Sequence, residues 1–491
     1  MEESYYRLVY IGNHTTINSD IVNDSVILKV YSGQHIYLRK AILERFNLNE
    51  NYLVRFQLPD MGNMTLTRKV IKITRSKNNK TDYMLTLPKK LIQKYSLKLP
   101  MELELKIIGK NKIGTFPISK NRIGFLDIVS LLDNGFTCFE NKKCKVSIYS
   151  SNSMSHTEAK LPRFFKIDEF FLWNLGLYLA EGTKTIKHRI SLSNNEPHII
   201  KRFLKYLNER WEIERNNITI RIRVKKGANI FCIRKFWSDF LEIEEDNIQV
   251  YIVMNRPPLS KWGNAEVSVY NTILGSLHQK IIENIECFLD SKKNILAFIK
   301  GVEDGDGHVI KHKGCIEIGI TTEKKFKKII TSSLSRLYGK PRVENHHTSD
   351  KVVKILYSGL GMALKFFFDG HFENHPKRQK KLIELIREFM GKDLKYLKVL
   401  KNGSTTIRNL EKEAGVSYVA ANIMMKKYNK NGYVTSYKMP IKKEKRFYNS
   451  RVFKLSGKGN ILVSRIIDSK EKYVKGNTLN GKEEQEEPHC M

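Results

Sequence analysis

Across residues 218–224 every second position is apolar (Ile218, Ile220, Ile222 and Val224), and the intervening positions are Thr219, Arg221 and Arg223. A period of two predicts a strand with one buried face and one basic face. The same alternation predicts strands at 189–193, with Ile190 and Leu192 inward and Arg189, Ser191 and Ser193 outward, and at 265–270. Between them, Ile199, Phe203 and Leu207 recur at helical spacing through 196–210. Further on the order returns: Ile316, Ile318 and Ile320 predict a strand, Phe326, Ile330 and Leu334 a helix, and 352–357 another strand. Gly359-Leu360-Gly361 breaks the chain before a helix, and a last basic helix starts at Pro376. Each half therefore reads αββαββα, the first with extra residues at 225–262.

Each half opens on an apolar helix of one construction. Ala297, Gly301 and Gly305 recur every fourth residue and end in Asp306-Gly307; Gly176 and Ala180 do the same and end in Glu181-Gly182. The two segments lie 125 residues apart, an offset that superposes Glu181 on Asp306 and Gly176 on Gly301 but Leu179 on Asp304. A stripe of small residues lets a second backbone approach closely. Only Glu181 and Asp306 are carboxylates in both copies, and Asp304 is assigned to local hydrogen bonding. A single acid–glycine helix end is an ordinary cap; two at matching positions in a duplicated pattern point to a shared task.

The flanks have patterns of their own. Residues 1–110 are mostly β, with a 12-residue stretch at 37–48 repeated 49 residues later at 86–97. Each copy reads as strand, short helix (Pro88 opening the second) and alternating strand, through Val54 and Phe56 or Leu103 and Leu105. Residues 111–165 read as a connector with some structure, including a short helix at 123–132. After 396, Ile407 and Leu410 set one helix, Ala414-Gly415-Val416 turns the chain, and a second helix opens at Ser417 with Val419, Ala420 and Ile423 inward. That is helix-turn-helix spacing. It leaves Ser417, Tyr418, Asn422 and Lys426 on the outer face, ahead of a strand from Tyr433, a basic loop at 438–451 and a strand at 451–455. The polar tail, 471–491, carries the acidic run at 483–487 and reads as disordered.

Charge narrows the partner. The 491 residues carry 86 Lys and Arg against 51 Asp and Glu, a formal net charge of +35. Phosphate neutralisation rewards such an excess, so the expected partner is nucleic acid. No run approaches the roughly 18 apolar residues of a membrane span and no signal peptide opens the chain, so a cytoplasmic protein is expected. The six cysteines are too sparse for a disulfide framework, and Cys138 and Cys144 lack partners at zinc-finger spacing.

The duplicated helices with their acid–glycine ends, spanning about 165–390, resemble the LAGLIDADG homing endonucleases in their monomeric double-motif form. The N-terminal repeat resembles the AbrB/SpoVT swapped-hairpin fold, and the C-terminal pattern a winged-helix domain. The implied fold is α+β: a small β-barrel at 1–110, a connector at 111–165, a two-repeat endonuclease core at 166–395 and a winged helix at 396–470. The implied activity is Mg²⁺-dependent, site-specific cleavage of double-stranded DNA, with metal held by Glu181 and Asp306. Mg²⁺ takes one or two protein carboxylates and fills its shell from water and phosphate, and so supplies both the nucleophile and charge relief. The family also places a basic residue near the phosphates at the end of each half. Lys377, in His375-Pro376-Lys377-Arg378, matches in the second half, whereas the first has Glu283 there with Lys280 nearby. Glu181, where Asp is commoner, is a second departure. Arg189, Arg221 and Arg223 are the expected groove-facing contacts. A DNA-binding regulator without cleavage and a maturase binding intron RNA are the alternatives. An intein is not expected, because Met1 is no nucleophile and His489-Cys490-Met491 lacks the His-Asn pair.

Overall fold

The computed structural model describes residues 24–30, 35–50, 52–58, 64–75, 80–87, 93, 101–112, 122–133, 135–140, 143–150, 158–184, 188–253, 261–346, 349–391, 393–443 and 446–468. The helix expected after Pro88 and the tail at 471–491 lie outside these residues. The chain divides into two units, Met1–Phe298 and Ile299–Met491.

In the first unit, β1 (Asp24–Val30), β2 (His35–Leu38), α1 (Lys40–Arg45), β3 (Tyr52–Leu58), β4 (Met64–Lys69), β5 (Ile71–Arg75), β6 (Lys80–Thr86) and β7 (Met101–Lys112) come first. Their strands form one sheet in the order β4-β3-β7-β1-β2-β6-β5. The repeat seen in the sequence is written into the pairing. Ile36 lies opposite Leu85, and Gln57 opposite Lys106, each partner 49 residues on, so both antiparallel pairs turn about a local two-fold. The expected barrel does not close. Among the described residues the outer strands β4 and β5 do not pair with each other. They are instead consecutive, joined through the buried Val70.

The stretch read as a connector with some structure carries short strands among its described residues. β8 (Phe125–Asp127) pairs with β12 (Phe164–Lys166), and β9 (Phe136–Glu140), β10 (Lys145–Ser150) and β11 (Glu158–Pro162) form an antiparallel sheet in the order β11-β10-β9. The short helix expected at 123–132 is confined to one 3₁₀ turn, Ile128–Leu131, capped by the Asp127 carboxylate. Arg163, fully buried, ties the two sheets together through Asp127 and Glu140.

Next come α2 (Glu169–Glu181), β13 (Arg189–Asn194), α3 (Pro197–Trp211), β14 (Thr219–Lys225), α4 (Ile230–Leu241), β15 (Ile248–Val253), β16 (Asn264–Tyr270) and α5 (Thr272–Glu283). The sheet runs β13-β16-β14-β15. Among the described residues of 225–262, α4 returns the chain so that β15 lies parallel to β14 at the sheet edge. Ile190, Leu192, Ile220, Ile222, Val224, Val267 and Val269 form the buried face, as the alternation predicts.

Below that sheet lies an aromatic cluster that holds a histidine. His278 on α5 is 1% exposed, its centroid 4.1 Å from Tyr178 and 5.4 Å from Trp211. Burial disfavours the imidazolium and pushes the pKa down to about 3. The fold holds the neutral ring, so its contribution is complete above the unfolded value near 6.5 and is lost as pH falls from there towards 3. Each pH unit in that window is expected to remove about 1.4 kcal/mol. Comparing thermal midpoints of the wild type and His278→Gln between pH 7 and 4 checks this: the wild type falls more steeply, and parallel curves contradict it.

The second motif helix is α6 (Lys292–Asp306), followed by β17 (Gly307–His312), β18 (Cys315–Glu323), α7 (Lys327–Tyr338), β19 (Arg342–His346), β20 (Ser349–Ser358), α8 (Leu360–Phe368) and α9 (Pro376–Met390). The sheet order is β17-β18-β20-β19, so the second half keeps the αββαββα order with two closing helices. Among the described residues the first half shows one strand, β13, where the second has the pair β17 and β18. A single bridge, Gly182 to Leu192, stands where Gly307 of β17 meets Ile320.

The last described elements are α10 (Asp393–Lys401), β21 (Thr405–Thr406), α11 (Ile407–Ala414), α12 (Tyr418–Lys430), β22 (Val434–Lys443), β23 (Arg446–Leu455) and α13 (Gly457–Val463), before a π-helical turn at Ser464–Asp468. The strands form a sheet in the order β21-β23-β22. Two details differ from the sequence reading. The inward residues of α12 are Ala421, Met425 and Tyr428, whereas Val419 and Ile423 are 65% and 59% exposed. The inward face is set by packing, and the apolar stripe chosen from the sequence lies on the other side. The basic loop at 438–451 is mostly strand, because β22 and β23 continue their pairing to Lys443 and Arg446. This region is tied to the second half by Arg387 of α9, which donates to the Ile466 carbonyl.

Candidate nucleic-acid and metal site

Asp168 starts α2 by accepting from the Phe171 amide, and the helix runs to Glu181 with Phe171 through Leu179 buried. Glu181 is half-buried at its C-terminal end, and Asn194 of β13 donates to its Oε1 at 3.2 Å. Asn194 is itself fixed by accepting from the Glu196 amide at 2.8 Å. The last carbonyls of α2 face a cation: Lys184 Nζ donates to Leu179 O at 2.6 Å and to Ala180 O at 3.3 Å. A cation at a helix C-terminus offsets the negative end of the helix dipole.

The other motif helix ends in the same way with different residues. Asp306 is half-buried at the end of α6. Arg378 of α9 donates from Nη1 to the carbonyls of Glu303 and Asp304 at 2.6 and 2.7 Å, and from Nη2 to that of Gly305 at 2.8 Å. Asp304 is fully buried and accepts from Asn374 Nδ2 at 3.1 Å, the local hydrogen-bonding role expected of it. Glu303, one residue earlier, is held by buried His371, which also meets the Tyr338 hydroxyl at 2.6 Å. His375 caps α9 by accepting from the Arg378 amide. Burial, then the charge of Arg378, pushes its pKa down to about 3, so the ring remains the neutral acceptor that the cap needs.

The glycines after the two acids are there for space. A Cβ at Gly182 would lie 2.4 Å from the Tyr178 carbonyl oxygen, and one at Gly307 would lie 2.5 Å from that of Glu303 and 2.8 Å from the Phe372 ring. Gly307→Ala is expected to cost about 1–3 kcal/mol, as overpacking does. Gly361→Ala, with nothing within 4 Å of the added carbon, is the neutral control. Equal midpoints in thermal melts would contradict this.

The basic residues expected at the ends of the halves divide differently. Lys377 is exposed on the first turn of α9, and its neighbour Arg378 is the residue that reaches α6. Lys280, in the first half, is engaged elsewhere: its ammonium donates to Leu131 O at 2.9 Å and to Asp133 at 2.7 Å. Sequence reasoning missed Asn194, Lys184 and Arg378. Lys184 had a signal, a lysine three residues past the acid, whereas Asn194 and Arg378 come from other elements.

On β13 and β14 the three expected arginines share the polar face of the first half's sheet, each with protein partners. Arg223 pairs with Glu266, and Arg189 Nη1 lies 3.5 Å from Glu266 Oε1. Arg221 donates to the Tyr270 hydroxyl at 2.8 Å and to Gln249 Oε1 at 3.4 Å. Ser191, expected outward, is on this face but covered, its hydroxyl 3.1 Å from Glu266. Burial alone would raise the Glu266 carboxyl, but Arg223 and the serine hydroxyls hold it below the usual range. On α12, Ser417 caps the helix through the Ala420 amide, Tyr418 and Lys426 are exposed, and Asn422 is half-buried.

Glu181 and Asp306 offer hard carboxylate oxygens at partly open helix ends, the sparse set that Mg²⁺ accepts. Among the described residues no group of three or more His, Cys, Asp and Glu side chains is placed to hold a metal ion. Nor is any helix among them long and apolar enough to cross a membrane.

No protein-family model matches the chain, and no curated protein does. Among solved structures the chain is similar to LAGLIDADG-domain proteins over part of its length. The N-terminal LAGLIDADG domain of DUF199/WhiA is 12% identical, covering 42% of this chain and 83% of that one at a TM-score of 0.27. Mesophilic variants of the homing endonuclease I-DmoI are 16% identical, covering 41% and 95% at 0.27. Full-length DUF199/WhiA from Thermatoga maritima is 13% identical, covering 54% and 92% at 0.25.

Proposed function

We propose that this chain is a DNA-binding protein that cleaves both strands of a duplex at a specific site, using Mg²⁺ held by Glu181 and Asp306. The observation that carries the reading is the duplicated helix end: acid, then a glycine with no room for a Cβ, with a cation on the last carbonyls. A structural cap needs no carboxylate there, since the helix dipole favours cations at a C-terminus. Both acids stand against that preference.

In the proposed mechanism Asn194 orients the Glu181 carboxylate, and Lys184 and Arg378 keep the helix ends electrostatically tolerant of an acid. Mg²⁺, when bound, supplies an activated water and relief of the charge that develops on the phosphate. Arg189, Arg221 and Arg223 contact the duplex from the sheet face, and the net charge of +35 provides the general attraction. The last region supports a second contact. Its order of helix, short strand, two helices and long hairpin supports reading it as a winged helix, with α12 offering Tyr418, Asn422 and Lys426 to DNA.

A specific observation favours a second reading, a DNA-binding regulator that does not cut. Lys280, the lysine nearest the expected basic position of the first half, is occupied by Asp133. Incubating the full chain with randomised duplex DNA, with and without Mg²⁺, separates the two. Salt-sensitive binding with Mg²⁺-dependent cuts at one sequence supports the nuclease. Binding without cuts supports the regulator, and preference for structured RNA over duplex DNA overturns both.

A further inference from the structure

The arginine-bearing sheet face is built around a carboxylate. Glu266 is 4% exposed, yet it lies on the polar side of β16, between β13 and β14. The strand register places it opposite Ser193 on one side and Arg221 on the other. It accepts from Arg223, lies 3.5 Å from Arg189, and receives the Ser191 and Ser268 hydroxyls at 3.1 Å. Tyr270 completes the arrangement, its hydroxyl accepting from Arg189 at 3.2 Å and Arg221 at 2.8 Å. Both guanidinium carbons lie 5.7 Å from its ring centroid.

A sheet optimised for stability has little use for such an acid, because an apolar group in place of a buried ion pair is often neutral or stabilising. A surface optimised for phosphate has less, since the carboxylate cancels one of the three nearby positive charges. The arrangement does suit recognition. An arginine held by one edge keeps further N–H donors and gives up its rotamer freedom before binding. Guanine, read through O6 and N7, is the base edge that a fixed guanidinium fits.

We propose that Glu266 is a positioning residue for base recognition, orienting Arg223 and Arg189 towards guanine edges and restraining them from pairing with phosphates. The proposal rests on the DNA-binding reading above and deepens it. Glu266→Gln keeps the shape and the acceptor for the serine hydroxyls but removes the charge that holds the arginines.

The experiment selects bound sequences from a randomised duplex library, using the full chain as wild type, Glu266→Gln and Tyr270→Phe. It also follows each protein's affinity against salt. The wild type is expected to enrich guanine at defined positions. Glu266→Gln is expected to reduce that enrichment about tenfold, the scale of one bidentate contact. Its slope of log affinity against log salt steepens by about one to two as the released arginines find phosphates. Tyr270→Phe, which removes the hydroxyl that holds Arg189 and Arg221, is expected to weaken the position read by Arg189 to a smaller degree, and decides the matter if the Gln variant fails to fold. Unchanged guanine preference and salt slope overturn the proposal. So does a uniform loss across all sequences, the outcome of a merely structural role, and so does a wild type that binds duplex without guanine preference. A wild type that binds no duplex overturns the functional reading itself, and this proposal with it.

Discussion

Asp306→Asn is expected to lower Mg²⁺-dependent cleavage at least about 100-fold, the scale of losing one charge-stabilising group in a water-poor site. Duplex affinity should stay within a few-fold of the wild type, because the role proposed for the acid lies in the reaction and not in uniform binding. The substitution is nearly isosteric, and the buried anchors of this helix end, Glu303 with His371 and Asp304 with Asn374, remain in place. A folded variant is therefore expected, with an unchanged thermal midpoint as the control. Glu181→Gln is expected to behave likewise, its amide still oriented by Asn194. Cleavage and binding lost together in a folded protein would show that the acid serves the interface and not the chemistry.

The second large effect is on stability. Arg163→Met is expected to cost about 3–5 kcal/mol, the usual result of leaving a buried carboxylate without its cation. The guanidinium is fully buried and reaches Asp127 from Nη2 at 2.8 Å and Glu140 from Nη1 at 2.5 Å. Burial alone would lower its pKa, but the two carboxylates hold it above the ordinary value. Asp127, 1% exposed, cannot regain water when the arginine is removed, whereas the partly exposed Glu140 can. Adding Asp127→Asn to Arg163→Met should therefore restore part of the loss. Urea unfolding followed by tryptophan fluorescence measures both; a single-variant loss under about 1 kcal/mol contradicts the account.

Much of the fold was legible because its signals are local. The alternation through Ile220, Ile222 and Val224 specified a half-buried strand, and the paired acid–glycine ends located both motif helices. The internal repeat at the N-terminus was visible as letters, and the structure shows it as opposed residues 49 apart. What escaped depended on packing between distant elements. Whether seven strands close a barrel is decided by edge pairing, and which face of α12 is buried is decided by the strands behind it. Asp127, Glu140 and Arg163 are unremarkable letters in a polar stretch until the sheets bring them together. At the candidate site, the two helix ends were legible from position alone, but Arg378 and Asn194 reach those ends from α9 and β13. The arginines of β14 were read as free contacts, and only the register with β16 reveals the carboxylate that holds them.

The most direct measurement incubates a randomised duplex library with the full chain and Mg²⁺, then sequences the cut ends of both strands. The Glu181→Gln/Asp306→Asn double variant runs beside it. Breaks in both strands at one recurring sequence, absent from the double variant and from samples with chelator, are the predicted result. No breaks with a wild type that still binds duplex in a salt-sensitive manner, or equal breaks with the double variant, would contradict the assignment of these two carboxylates to cleavage.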